Sequence, residues 1–346
     1  MNFTKNLIHW YSVFKRDFPW RQTKSPYYIW LSEIILQQTQ IKQGLPYYEA
    51  FVSNFPTVFH LANAKEEQVL KLWQGLGYYS RARNLLKTAQ YIVTELQGEF
   101  PKTYKDLLSL KGVGDYTASA IASICFNEPT AVVDGNVYRV LSRYYGIATP
   151  INSTQGIKHF KALAQSLLPH TNIGDYNQAI MEFGAVQCKP KNPNCIECPL
   201  QDSCIAFTQK KIELLPVKIN KTKISKKHFN FLVFISENKR TILQQRTAKG
   251  IWQNLYQFPL IETTKVLTQK QFDNNKKIKD LLNKTKHDFS LYNKKDIIHK
   301  LTHQHLHTKF WIITVNILPQ KGIPISEIHK YPVPKLISKF IEEFNF

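Results

Sequence analysis

From Leu7 to about Phe207, apolar residues recur at helical spacing, interrupted at short intervals by Pro and Gly. Leu107, Leu108 and Leu110 mark one such stripe, and Val137, Val140, Leu141 and Tyr144 another. The pattern predicts an all-helical domain over residues 1–215. After Leu215-Pro216 the periodicity fades into a Lys-rich, Gly-free stretch, which predicts a linker over 216–227. The period then becomes two: Phe229, Phe231, Val233 and Ile235 alternate with other residues, and Glu237-Asn238-Lys239 turns the chain into Thr241 to Arg246. A hairpin is the simplest reading. A polar helix from Phe272 to Leu282, a strand pair over Ile297–His307 and Phe310–Leu318, and a terminal helix opened by Pro334 complete an α+β domain over 228–346. The expected fold class is therefore multidomain, an all-helical part followed by an α+β part, without internal repeats.

Length and charge sharpen this picture. The 346 residues suffice for two buried cores, and 46 basic against 25 acidic side chains give a net charge of +21. That balance favours a polyanionic partner such as nucleic acid, although any phosphate-rich partner would satisfy it. No uninterrupted apolar run of about 18 residues occurs, and the first residues lack the plan of a secretory signal, so no membrane role is expected and an intracellular location is.

Four of the five cysteines crowd together as Cys188, Cys195, Cys198 and Cys204, spaced C-x6-C-x2-C-x5-C. Four thiolates from one compact loop can hold zinc or an iron-sulfur cluster. Zinc sites usually pair their ligands in two short knuckles; here only the central pair is close, which favours a cluster. Cys125, among Ala122, Ile124 and Phe126, reads as an apolar core residue.

Gly112-Val113-Gly114 joins a helix ending near Leu110 to one starting near Asp115. Such a turn can present backbone N–H groups and a helix N-terminus to a phosphate, or can simply join two helices. Tyr28 to Gln43 reads as one helix carrying Glu33 between Ile29, Trp30 and Leu36. Burial there would raise the carboxyl pKa toward that of a general acid, whereas most lone helical glutamates are surface residues. Gln37-Gln38-Thr39-Gln40 on the next turn suits hydrogen bonding to base edges. Asp134 precedes Gly135 and a helix from Asn136 to Tyr145, so it is either an N-cap or an anion placed where a sugar cation develops.

Taken in order, the hairpin, Val133-Asp134-Gly135-Asn136-Val137 and the cysteine spacing resemble the endonuclease III superfamily of DNA glycosylases. The runs from Trp30 to Gln40 and from Gly75 to Asn84 resemble its adenine-specific MutY branch. The resemblance implies a helix-hairpin-helix glycosylase domain with one 4Fe-4S cluster on Cys188, Cys195, Cys198 and Cys204. It implies that Glu33 protonates adenine at N7 and that Asp134 stabilises or traps the sugar cation, with Tyr116 and Asn136 in support. Gln38 and Tyr78 would lie at the disrupted base step, Thr39 among the DNA contacts, Trp20 and Arg21 beside the base pocket, and Gly112, Val113 and Gly114 on the backbone. The bifunctional branch carries a lysine nucleophile where this chain has Tyr116, which implies base removal without efficient strand cleavage. Tyr138 stands where some relatives have an adduct-forming lysine.

The last domain resembles the Nudix-like domain of the same branch, entered through the run from Gly250 to Pro259, without the acidic metal signature of active pyrophosphatases. It is expected to read DNA, with Thr302 and His303 at the place of a Phe-Ser-His element that contacts 8-oxoguanine, Leu301 replacing the aromatic ring. His303, His305 and His307 alternate like one strand face, for which a metal site is the lesser reading. The implied partner is double-stranded DNA with A:8-oxoG or A:G mispairs, bound by a cytoplasmic, nucleoid-associated bacterial monomer. The competing readings are a glycosylase-lyase for oxidised pyrimidines and a catalytically silent DNA-binding protein.

Overall fold

The computed structural model describes residues 3–219, 224–282, 287–344 and 346. The chain gathers into two compact units, Met1–Asn63 with Asn84–Asn220, and Ala64–Arg83 with Lys221–Phe346.

The first unit is helical. Its elements are α1 (Phe3–Phe14), α2 (Pro26–Leu36), α3 (Ile41–Asn54) and α4 (Val58–Ala62); α5 (Glu66–Leu72) and the first turn of α6 (Ser80–Leu96) fall in the other unit. It continues with α7 (Tyr104–Ser109), α8 (Asp115–Phe126), α9 (Gly135–Tyr144), α10 (Thr154–Ser166), α11 (Ile173–Val186) and α12 (Ile205–Thr208). Helical spacing puts Phe3, Leu7 and Trp10 on one face of α1 and Tyr176, Ile180 and Phe183 on one face of α11, and these stripes bury one another together with Val137, Val140 and Leu141 of α9. Burying each such side chain contributes roughly 1.5–3 kcal/mol. Helices α9 and α11 approach so closely that a Cβ on Gly184 would lie 2.7 Å from the Asn136 Cβ.

The helix expected from Tyr28 to Gln43 is in fact two. Helix α2 stops at Leu36, Gln38 adopts a left-handed φ of 54°, and α3 starts at Ile41. A left-handed residue cannot continue a right-handed helix, so Gln37–Gln40 form a connection rather than a further turn.

In the second unit a five-stranded sheet is built from β1 (Ser225–Ser236), β5 (Leu260–Thr263), β6 (His287–Leu291), β7 (Ile297–Lys300) and β8 (Gln304–Val315), in the order β5-β1-β8-β6 with β7 also on β8. β1 and β8 run parallel, with Phe231 opposite Phe310; the other pairs are antiparallel. One face of this ladder carries Leu232, Phe234, Trp311 and Ile313 against α13 (Gln269–Asp273) and α14 (Lys276–Leu282). On the other, Phe231 stacks on Phe310, which stacks on Phe340 of α15 (Lys335–Glu343). β1 is thus buried on both faces, which explains its unbroken apolar run.

The expected hairpin between Phe229–Ile235 and Thr241–Arg246 does not form. Lys239 turns back onto Ser236, but β1 pairs with β8 along its length and with β5 over His228–Phe231; β2 (Arg240–Thr241) pairs with β9 (Ile323–Pro324), and β3 (Gln244–Gln245) with β4 (Tyr256–Gln257). The strand pair expected over 297–318 is present as β7 and β8, but its turn lies at Leu301–His303, so His305 and His307 belong to β8. The expected helix from Phe272 to Leu282 is broken at Asn274–Asn275, whereas the terminal helix follows Pro334. Of the expected linker, residues 220–223 lie outside the described residues, and β1 begins at Ser225. Among the described residues no helix is long and apolar enough to cross a membrane.

Candidate active site and cysteine centre

Three helices of the first unit meet at one pocket of about 440 Å³. Glu33 enters from α2, Tyr116 from the first turn of α8 and Asp134 from the N-cap of α9, with Gln38 and Gly114 also in the lining. Local chemistry fixes each one. Asp134 accepts from the backbone N–H groups of Asn136 and Val137 at 2.9 and 2.8 Å, satisfying donors that a helix start leaves open. Its second oxygen accepts from Asn136 Nδ2 at 2.7 Å. The N-cap and the pocket anion are therefore the same residue.

Burial pushes the Glu33 carboxyl up to about 7; the Asp134 charge adds to this, while the Tyr116 hydrogen bond and Arg21 oppose it. Burial also raises Asp134, against the pull of the Val137 and Asn136 donors and of Arg139. The Tyr116 phenol is raised well above its usual range, by burial and then by Glu33 and Asp134, so it stays protonated; its hydroxyl donates to Met181 Sδ at 3.5 Å. The pocket therefore combines a carboxyl near its titration midpoint at neutral pH, a locked carboxylate and a protonated phenol. This is the equipment of an acid that gives a proton and an anion that faces positive charge.

Asn136 does more than hold Asp134. Its Oδ1 accepts from Arg139 Nη2 at 2.8 Å, and Arg139 in turn donates to the Gly184 carbonyl at 2.7 Å and to the Cys188 carbonyl at 2.7 Å. One hydrogen-bonded chain thus runs from the pocket to the cysteine loop. Neither Arg139 nor Arg143, both buried, stands out in the sequence, because their carbonyl partners lie far along the chain.

The hairpin lies beside the pocket. Gly112 has a φ of 79° and a Cβ there would lie 2.8 Å from Asn84 Cβ, so both conformation and space require glycine. Val113 is buried beneath the turn, and Gly114 caps α8. Thr39 and the Trp20-Arg21 pair are not among the residues lining the pocket. Thr39 bonds to the Gln37 carbonyl, Trp20 stacks on Phe18, and Arg21 is ion-paired to Glu182 at 2.8 Å. Arg16 binds the same Glu182 at 2.6 Å. In the second unit, Tyr78 has a left-handed φ of 46°, and its hydroxyl lies 2.6 Å from that of Thr302, next to the exposed His303.

The four clustered cysteines line a single small cavity beside Arg143 and Phe207. Arg143 donates to the carbonyls of Lys189, Pro190, Ile212 and Leu215 and approaches Cys188 Sγ at 3.5 Å. Burial pushes the Cys198 thiol up to about 12 and raises Cys195 and Cys204. An all-sulfur donor set with the backbone N–H groups of Leu200, Ala206 and Phe207 and the Arg143 guanidinium beside it fits a positively charged metal centre, which would hold the sulfurs as thiolates.

Residues 31–166 match the family model of the HhH-GPD superfamily base excision DNA repair proteins, 188–204 that of the iron-sulfur binding domain of endonuclease III, and 230–343 that of the NUDIX domain. The chain is similar to the adenine DNA glycosylase of Buchnera aphidicola subsp. Schizaphis graminum, 35% identical over 354 residues covering 99% of each chain. It is also similar to that of Buchnera aphidicola subsp. Baizongia pistaciae, 38% identical over 292 residues, 83% of this chain and 82% of the relative. Among solved structures, a thermostable thymine-DNA glycosylase superposes with a TM-score of 0.56 at 29% identity, over 60% of this chain and 95% of that one.

Proposed function

Because the chain belongs to the adenine DNA glycosylases of base excision repair, we propose that it excises adenine paired with 8-oxoguanine or guanine, as a monofunctional enzyme. The observation that carries the chemistry is the pocket that Glu33, Tyr116 and Asp134 line together. In this reading Glu33 gives its proton to adenine N7, the bond between C1′ and N9 breaks with its electron pair passing to adenine, and the Asp134 carboxylate faces the sugar cation or bonds to it covalently. Water then adds at C1′, and its proton returns to Glu33. Tyr116 and Asn136 hold the two carboxyl groups, and Tyr116, having no amine, forms no Schiff base.

Residues 1–215 carry out this reaction on an extruded nucleotide, with Gln38 and Tyr78 at the disrupted step, Thr39 among the DNA contacts and Gly112, Val113 and Gly114 on the backbone. Trp20 and Arg21 border the base. Residues 228–346, joined through 216–227, read the opposite base through Thr302 and His303; the hydrogen bond between Tyr78 and Thr302 supports this assignment. The DNA is bound by a monomer, on the nucleoid of a bacterial cytoplasm. Cys188, Cys195, Cys198 and Cys204 would hold an iron-sulfur cluster, which we assign as 4Fe-4S. Bound there, it supplies a rigid charged crosslink for the loop carrying Lys189 and Lys191, and no step of the reaction passes through it.

The test is single-turnover cleavage of duplexes that differ only in the base opposite adenine. Adenine should leave fastest opposite 8-oxoguanine, with the strand intact until alkali is added. Equal rates opposite all bases, or strand scission without alkali, would refute the proposal.

A further inference from the structure

We propose that His228, Asp296 and His307 form a binding site for a divalent transition-metal ion of the zinc class, outside both the pocket and the cysteine centre. One ligand atom from each lies within 4.8 Å of the others, and His307 Nδ1 is 3.5 Å from Asp296 Oδ2. In a tetrahedral zinc site with bonds of about 2.0–2.1 Å, neighbouring ligand atoms are roughly 3.4 Å apart. The three groups need to converge by at most about 1.4 Å from separations within 4.8 Å.

The backbone brings them together. His228 on β1 is the direct register partner of His307 on β8, so their side chains leave the same face of the sheet, with ring centroids 5.0 Å apart. Ile298 of β7 is the partner of His307 on its other side, and Asp296 lies two residues before it, which returns its side chain to that face. The loop holding Asp296 is itself anchored: Asn293 donates to the Thr308 carbonyl and accepts from the Phe310 N–H, both at 2.9 Å. Further along, the same face is filled by Leu232, Phe234, Trp311 and Ile313. The three polar groups occupy the partly exposed end of it.

The donor set selects the ion. Two imidazoles and one carboxylate suit zinc, copper or nickel, whereas magnesium and calcium require oxygen ligands. Lys226 and Lys309 act electrostatically on His228 and oppose any cation there, so affinity must come from ligand bonds rather than from bulk charge. Of the alternating histidines at 303, 305 and 307, only His307 takes part. Because Asp296 and His307 flank the turn at Leu301–His303, a bound ion would staple the base of the turn that carries Thr302. That consequence rests on the recognition role proposed above; the metal site does not.

The experiment uses full-length, cluster-loaded protein titrated with Zn²⁺ by calorimetry, followed by zinc-edge X-ray absorption. One ion per chain is expected, with nitrogen and oxygen ligands at about 2.0–2.1 Å. Binding should weaken by more than roughly tenfold in each of His228→Gln, Asp296→Asn and His307→Gln, but not in His159→Gln. EDTA should lower the melting temperature of zinc-loaded wild type and leave the three variants unchanged. If a histidine variant fails to fold, the isosteric Asp296→Asn decides. Absence of zinc binding, a sulfur shell near roughly 2.3 Å, or undiminished binding by the variants would overturn the site. Glycosylase activity enters none of these readings.

Discussion

The hydroxyls of Tyr78 and Thr302 lie 2.6 Å apart although 224 residues separate them in the chain. Both side chains are exposed, so this bond adds little to stability, and the role proposed for it is in reading the base opposite adenine. Tyr78→Phe and Thr302→Val each remove one hydroxyl. Each should narrow the ratio of adenine release opposite 8-oxoguanine to that opposite guanine by about three- to tenfold, and the double variant should do little more. Fully additive losses in the single-turnover rates would show that the bond has no part in discrimination.

Glu33 is expected to impose a trade between activity and stability. Its folded pKa of about 7 lies above the ordinary value of 4.5, so the native state holds a proton that the unfolded chain gives up. The associated stability is fully present below about pH 4.5 and is lost as pH rises through about 7. The release rate should fall over the same upper range as the acid deprotonates. Glu33→Gln should abolish release and, at pH 8, raise unfolding stability by on the order of 2–3 kcal/mol. Denaturation at pH 5 and pH 8 checks the sign.

Asp134 caps α9 and lines the pocket, and two substitutions separate these roles. Asn is as good an N-cap as Asp, so Asp134→Asn should leave stability within about 0.5 kcal/mol while release collapses. Asp134→Ala should lose the reaction and also about 1 kcal/mol. Equal melting of the two variants would contradict the capping role.

Arg139 connects Asn136 to the Gly184 and Cys188 carbonyls. Arg139→Leu removes these donors from buried acceptors at a cost of about 1–3 kcal/mol. It should reduce both the iron retained per chain and the single-turnover rate. Normal iron content together with a normal rate would show that the connection carries nothing.

Some of this was readable in the residues alone. The cysteine spacing announced a single metal centre, and the change of period near Phe229 announced a second kind of architecture. The rest was hidden for physical reasons. Helix α2 stops at Leu36, before the polar run Gln37–Gln40, and a left-handed glutamine, unlike glycine, leaves no mark in a sequence. The hairpin reading at β1 failed because the strand's true neighbour, β8, is non-local, and alternation does not say which strand pairs with which. Glu33 and Asp134 share a pocket through the packing of α2, α8 and α9, and only the resemblance to a known family linked them beforehand.

Gln74 donates to the Ser338 hydroxyl and accepts from the Val333 N–H, 264 and 259 residues further along. During synthesis, the short stretch around α5 therefore has to wait for nearly the whole chain to leave the ribosome before its own partners exist. High contact order of this kind slows folding and prolongs exposure of apolar surface. Chaperone dependence during biogenesis is consequently expected to concentrate in the unit that holds residues 64–83.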